Sequence, residues 1–128
     1  MTHRHPSRNI EIQRAYDSTP GGKAYRVLVD RFWPRGLRKA DLQPDLWARD
    51  LAPTRDLIKW FGHDPARWAE FRARYMDELD AEAARQGLRD LLAEAGSRDI
   101  ILLYGARDPE HNQAVVLRDA LQRFSSMA

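Results

Sequence analysis

The sequence predicts an α/β fold, with a small, mostly parallel sheet of three or four strands and several helices packed on it as a single domain. Two compact apolar runs, residues 24–30 and 99–104, are typical of buried strands. Between them lie several segments with the apolar spacing of helices. Helices between two buried strands imply a parallel crossover, and a length of 128 residues suits one domain.

The first half of the chain begins with an alternating apolar and polar pattern at residues 9–16, which predicts a short strand. A loop rich in proline and glycine leads to the strand at residues 24–30. Residues 39–52 carry leucines at helical spacing and predict one or two short helices. Thr54 is a suitable N-cap for a further helix at residues 54–61.

In the second half, Asp64 and Pro65 are suited to the cap and first position of a helix, which we expect to be the longest. Gly87 is expected to break it, with a continuation over residues 88–95. A second Asp-Pro pair at residues 108–109 predicts the start of the final helix. The long helix has one apolar face, formed by Trp68, Phe71, Tyr75 and Leu79. The final helix should point Ala114, Leu117, Leu121 and Phe124 inward.

The domain is expected to span residues 9–124, with tails at residues 1–8 and 125–128. The chain contains no cysteine, which excludes thiol catalysis, disulfides and cysteine-ligated metal sites. It has no apolar run that could span a bilayer and no apolar signal-peptide core near its start. We therefore expect a cytoplasmic protein without a membrane partner; the sequence does not predict the oligomeric state.

Positive charge is concentrated at the front of the chain. Residues 1–39 hold nine Lys and Arg against three Asp and Glu, whereas residues 40–128 hold twelve against sixteen. Arginine presents a planar fork of donors that suits phosphate or carboxylate. The excess can favour nucleic acid, although it is modest for that role, and it is equally compatible with solvated surface charge.

A first candidate site follows the strand at residues 24–30. Asp30, Arg31 and Arg35 lie near its carboxyl end, where open α/β sheets bind ligands. The arginines could bind an oxyanion while Asp30 orients one of them. Alternatively, Asp30 and Arg31 form an internal pair with no ligand.

A second candidate site follows the strand at residues 99–104. Tyr104 ends that strand, and His111 and Asn112 fall in the expected first turn of the next helix. Helix N-termini bind anions, and a histidine there could act as a catalytic acid–base group. The alternative is that Asp108 caps the helix and His111 is an exposed first-turn residue. If both strands are parallel neighbours, Asp30, Arg31, Arg35, Tyr104, His111 and Asn112 should line one cleft.

Metal and cofactor motifs are missing from the sequence. His63 and His111 lack the local spacing of a metal site, and the chain has neither a complete P-loop nor a GxGxxG motif. We therefore predict no metal and no cofactor.

Three segments together resemble the YeaO-like proteins, a branch of domain-of-unknown-function family 488. They are residues 25–36, with the string VDRFWPRG, residues 57–68, with WFGHDPARW, and residues 102–104 together with 108–117. The resemblance covers about residues 9–124. Other branches of the wider family carry a cysteine at the position of Tyr104 and a Cys-His-Arg string near His111 and Asn112. This chain departs from that pattern, so cysteine-dependent chemistry does not transfer to it.

The leading functional hypothesis is a protein that binds a small anionic ligand, such as a phosphate-bearing nucleotide or metabolite. Arg31 and Arg35 would hold the anion, Tyr104, His111 and Asn112 would face it, and His111 could be catalytic. The alternatives are a nucleic-acid-associated module that uses the basic N-terminal third, and a protein-interaction domain without catalysis. Arginines gathered in one concave pocket would favour the small ligand, and arginines spread over a convex face would favour nucleic acid.

Overall fold

Four parallel strands form one sheet in the order β1-β4-β2-β3. The computed structural model describes residues 8–127. None of the helices in that range has the length and apolar character needed to cross a membrane. The predicted α/β class is confirmed. The strands are β1 (Ile10–Arg14), β2 (Tyr25–Leu28), β3 (Leu46–Trp47) and β4 (Ile100–Tyr104), and the helices are α1 (Lys39–Leu42), α2 (Arg55–Phe61), α3 (Trp68–Leu79), α4 (Glu82–Ala95) and α5 (Gln113–Met127).

Strand β4 lies inside the sheet and pairs with both β1 and β2. Leu102 lies opposite Ile12 on one side and Val27 on the other. The two strongly apolar runs are therefore parallel neighbours, as predicted. Because their carboxyl ends meet at one edge of the sheet, the residues that follow β2 and β4 come close together.

Apolar side chains are buried on both faces of the sheet, which explains why β2 and β4 are almost continuously apolar. Successive residues of a strand point to opposite faces. Accordingly, Val27 and Leu102 join the main core with the helices, while Leu28 and Leu103 join a smaller cluster that includes Leu42.

The predicted apolar face of α3 is confirmed. Phe71, Tyr75 and Leu79 are buried in the main core, and Trp68 packs against it while remaining partly exposed. The Tyr75 hydroxyl donates a hydrogen bond of 2.5 Å to the carbonyl of Leu51. This bond attaches α3 to the short 3-10 turn Arg49–Leu51 that follows β3.

Residues 39–52 do not form only helices, so that prediction was wrong. Helix α1 stops after four residues, and Gln43 adopts a left-handed conformation before Pro44. A residue before proline disfavours the helical region, which ends the helix there. The chain then enters the sheet as β3, with bonds of 2.8 Å from Asp45 N–H to Arg26 O and from Ala48 N–H to Leu28 O.

The break between the two central helices lies at residues 80–81, so the predicted break at Gly87 was wrong. Gly87 lies inside α4. A Cβ at this position would be 2.9 Å from Leu51 Cδ2, which shows that the glycine permits close packing against the 3-10 turn. Helix α3 has 12 residues and is shorter than α4 and α5.

The final helix starts at Gln113, later than the predicted start at residues 108–109. Asn112 is its cap, because its Oδ1 accepts hydrogen bonds from the N–H groups of Ala114 at 2.9 Å and Val115 at 3.3 Å. The helix continues to Met127, and residues 125–127 therefore extend it where we expected a tail. The expected N-terminal tail, residues 1–8, lies outside the described residues except for Arg8.

Candidate functional site

The carboxyl ends of β2 and β4 are joined by the Asp30 side chain. Its Oδ2 accepts a hydrogen bond of 2.9 Å from the Gly105 N–H, and its Oδ1 accepts from the side-chain amide of Gln113. One carboxylate thus connects two strand ends with the first residue of α5. Asp30 lies beside the end of β4, as expected for residues that follow neighbouring parallel strands. Gln113 was not among the predicted site residues.

Gly105 allows this close approach. A Cβ on residue 105 would lie 2.7 Å from Asp30 Oδ2 and 3.5 Å from the Pro34 Cβ. Any side chain at this position would push the carboxylate away from the backbone that it binds. The contact explains why a glycine follows the buried strand directly.

Burial raises the pKa of Asp30 to about 6, against the lowering effects of the Gly105 N–H and the Gln113 amide. Between the unfolded pKa near 4 and this value, the folded state binds the proton more tightly than the unfolded state does. The free energy of unfolding therefore falls as pH rises through this window. At about 1.4 kcal/mol per pKa unit, the contribution is on the order of 2–3 kcal/mol.

We expect Asp30→Asn to remove this pH dependence, since the asparagine oxygen can still accept from Gly105 while Gln113 turns its amide to match. Urea unfolding from pH 4 to 7 should show the variant gaining stability over the wild type as pH rises. A stability difference that stays constant across this range would contradict the assignment.

The segment between β4 and α5 is organised by Asp108. Its Oδ1 accepts from the backbone N–H groups of Glu110 at 2.9 Å and His111 at 3.2 Å, and its Oδ2 lies 2.8 Å from His111 Nδ1. The Glu110 N–H, followed by the His111 side chain, lowers the pKa of Asp108. The His111 ring also packs edge-on against Trp68, with centroids 5.3 Å apart. Asp108 and Trp68 together therefore fix the orientation of the His111 ring.

The other predicted site residues, Asn112, Tyr104 and Arg35, have structural contacts. The Asn112 side chain is buried and donates 2.9 Å to the Asp108 carbonyl, in addition to capping α5. Tyr104 is buried, and this burial raises the pKa of its phenol, with Arg14 opposing the effect. Arg35 is exposed, and its backbone carbonyl accepts a hydrogen bond of 2.7 Å from the Tyr16 hydroxyl.

The Arg31 side chain points toward a different part of the strand edge. Its Nε donates 2.7 Å to the Pro53 carbonyl and one terminal nitrogen donates 3.3 Å to the Ala52 carbonyl. These bonds fix the guanidinium at the wall of a cavity of about 440 Å³. We name this cavity the arginine pocket; it is lined by Arg31, Phe32, Trp33, Trp47, Arg49 and Arg55.

The arginine pocket contains three guanidinium groups and no acidic lining residue. Arg49 lies over the Trp47 ring at 4.1 Å, and Arg55 lies over the Phe32 ring at 5.3 Å. In the part of the chain that the structure describes, Arg31, Arg49 and Arg55 form no ion pair with a carboxylate. The charged side chains that line the pocket are therefore all positive.

A larger cavity of about 620 Å³ lies next to the arginine pocket, and Trp47 and Arg49 line both. Its polar lining is mainly acidic, comprising Asp45, Asp50, Asp90 and Glu94. These carboxylates repel an anion, so the smaller cavity is the better anion site. Over residues 8–127, no three His, Cys, Asp or Glu side chains are grouped so that they could hold a metal ion.

Sequence reasoning identified Arg31 but missed Arg49 and Arg55. Both follow the short strand β3, which was interpreted as helix, and their approach to Arg31 depends on that strand. The predicted N-cap at Thr54 could have located Arg55. Thr54 Oγ1 accepts a hydrogen bond of 3.3 Å from the Leu57 N–H, and Arg55 is therefore the first residue of α2.

Comparison with known proteins agrees with the resemblance found in the sequence. A family model described as the inactive DUF488-N3 subclade matches residues 9–126. The uncharacterized protein YeaO of Escherichia coli (strain K12) is 40% identical over 114 residues, which cover 89% of this chain and 97% of that protein. An uncharacterized protein of Mycobacterium tuberculosis (strain ATCC 25618 / H37Rv) is 36% identical over 112 residues, covering 88% and 92%. No solved structure matches the chain significantly. The chain belongs to the DUF488 family, in the subclade described as inactive.

Proposed function

We propose that this protein binds a small anionic ligand in the arginine pocket. The observation that carries the proposal is the presence of three arginines around one cavity without a carboxylate partner among the described residues. Arg31 is partly buried, Arg49 and Arg55 are exposed, and none of the three has an anionic partner among the described residues. A phosphate or carboxylate group would provide that partner for Arg31, Arg49 and Arg55.

Hydrogen bonds hold Arg31 in place before a ligand arrives. Arg31 uses two of its donors on the carbonyls of Ala52 and Pro53, and the rest of its fork stays available. Arg49 and Arg55 rest on aromatic rings. Such preorganisation reduces the conformational entropy that is lost when a ligand binds.

The grouping of the three arginines around one cavity supports a small ligand rather than nucleic acid. The proposed binding residues differ from those predicted from the sequence. Of the predicted ligand-binding residues, Arg31 is the one that lines the arginine pocket. Asp30 contributes through its backbone, whose carbonyl accepts 2.7 Å from the Trp47 indole N–H and so positions one wall.

Binding without turnover fits the matched subclade, whose description is inactive. The role of His111 as an acid–base group stays a prediction. Its ring is oriented by Asp108 and Trp68, and His111 does not line the arginine pocket.

We expect Arg49→Ala and Arg55→Ala each to weaken pyrophosphate binding about 10- to 100-fold, because each removes charge-assisted hydrogen bonds. The measurement is a titration with pyrophosphate at low salt. Binding is detected by the change in tryptophan fluorescence, because Trp33 and Trp47 line the pocket. The matched control is Arg35→Ala, which removes an exposed arginine outside the pocket. Weaker binding in Arg35→Ala together with unchanged binding in Arg55→Ala would place the site at the β2 and β4 ends and overturn the proposal.

A further inference from the structure

Phe32 is an exposed aromatic residue at the anion site. Its side chain is 54% exposed, the higher of the two large apolar exposures among the described residues, Phe32 and Tyr16. It lines the arginine pocket, and Arg55 covers part of one ring face. Single exposed apolar residues are common on protein surfaces, so exposure alone assigns no role to Phe32. Its place beside three arginines indicates an aromatic contact next to an anion.

The other two aromatic walls offer ring surface without hydrogen-bond donors. The Trp33 indole N–H is bonded to the Leu37 carbonyl, and the Trp47 indole N–H is bonded to the Asp30 carbonyl. The two indoles pack edge to face with centroids 5.4 Å apart, which fixes their orientation. The lining therefore supplies guanidinium donors and aromatic faces, and it contains no side-chain hydrogen-bond acceptor.

This combination selects a class of ligand. A free sugar offers neither an aromatic ring to stack nor an anion for the arginines, and its hydroxyl groups would find no side-chain acceptor in this lining. A planar ring needs only a π-face to stack on, and the anion attached to it would meet the arginines. The cavity volume of about 440 Å³ falls in the range of small-molecule sites.

We propose that the ligand is an aromatic ring joined to a phosphate, as in a nucleoside monophosphate, with the ring stacked on Phe32 and the phosphate held by the arginines. This inference rests on the proposed anion-binding function. It goes beyond that function because it assigns a recognition role to Phe32. Stacking uses the face of the ring and does not discriminate between the hydrogen-bonding groups at its edge. Purine and pyrimidine phosphates should therefore bind with similar affinity.

The test compares AMP, ribose 5-phosphate and adenosine in titrations of the full chain. We expect AMP to bind roughly 5- to 150-fold more tightly than ribose 5-phosphate, which is the range that stacking one base on an aromatic side chain contributes. Phe32→Ala should abolish the preference, so that this variant binds AMP and ribose 5-phosphate with equal affinity, even if losing the ring under Arg55 also weakens phosphate binding. Phe32→Tyr keeps the ring and should retain the preference. Phe32 is exposed, so the variants should fold, which the melting temperature verifies.

The other possible results of these titrations contradict either the stacking role of Phe32 or the anion site. Equal affinity for AMP and ribose 5-phosphate, or an AMP preference that survives Phe32→Ala, overturns the stacking role and leaves the anion site intact. Adenosine binding as tightly as AMP overturns the anion site and with it the proposed ligand class, and no binding by either phosphate overturns both the anion site and the stacking role. An affinity for single-stranded RNA that grows with length and falls steeply with salt overturns the small-ligand assignment in favour of a nucleic-acid surface.

Discussion

Replacing Phe71 with alanine should lower the free energy of unfolding by about 3–5 kcal/mol, because the substitution removes a buried ring and leaves a cavity. Phe71 is 2% exposed and stacks on Phe61 with centroids 4.2 Å apart. It also contacts Trp68 and Tyr75, so its ring is central to the aromatic packing between α2 and α3. Urea unfolding measures the loss.

The same substitution at Phe32 is the control for Phe71. Phe32→Ala removes an equal number of atoms from an exposed ring and should cost well under 1 kcal/mol. A loss of that small size at Phe71 would show that the α3 face is not packed as described and is available to a partner.

Replacing Arg26 with methionine should cost about 3 kcal/mol or more, since three acceptors lose a charged donor. Arg26 is 3% exposed although it lies in the apolar strand β2. Its guanidinium donates to the carbonyls of Leu42 at 2.8 Å and Gln43 at 3.0 Å and to Ser18 Oγ at 2.7 Å. Burial lowers its pKa and the charge of Asp45 opposes this effect. Denaturant unfolding again gives the loss.

Two further variants separate hydrogen bonding from packing at this position. Arg26→Lys keeps the charge but lacks the planar fork, so it should recover only part of the stability. Arg107→Met removes an exposed arginine and should be nearly neutral. An Arg26→Met variant as stable as Arg107→Met would mean that the three acceptors are satisfied without the guanidinium.

The parts of the fold that the sequence predicted are those set by local pattern. Runs of apolar residues marked β2 and β4, and the spacing of Phe71, Tyr75 and Leu79 marked a buried helix face. Strand β3 was not predicted because two residues are too few to show the alternating pattern of a strand. Their pairing depends on β2 lying beside them. Gly87 was misinterpreted for a related reason, since the Leu51 side chain that requires it comes from a distant part of the chain.

The candidate site was likewise predicted only where it depends on local pattern and strand order. The rule for strand ends correctly brought Asp30 to Gly105, because it depends only on parallel neighbours. It could not show which way the Arg31 side chain turns, and the carbonyls of Ala52 and Pro53 decide that direction. Nor could a strand pattern show that Arg26 is buried, since its acceptors come from α1 and the β1–β2 connection.

The central position of β4 affects how the chain can fold during synthesis. Residues 100–104 pair with both β1 and β2, and the contact of Asn9 with Asp99 spans 90 positions. A ribosome releases β4 only after most of the protein has been made, so β1 and β2 lack their shared partner until then. Such distant pairings slow folding and make it cooperative. The nascent chain should therefore stay open for most of its translation and fold in one late event.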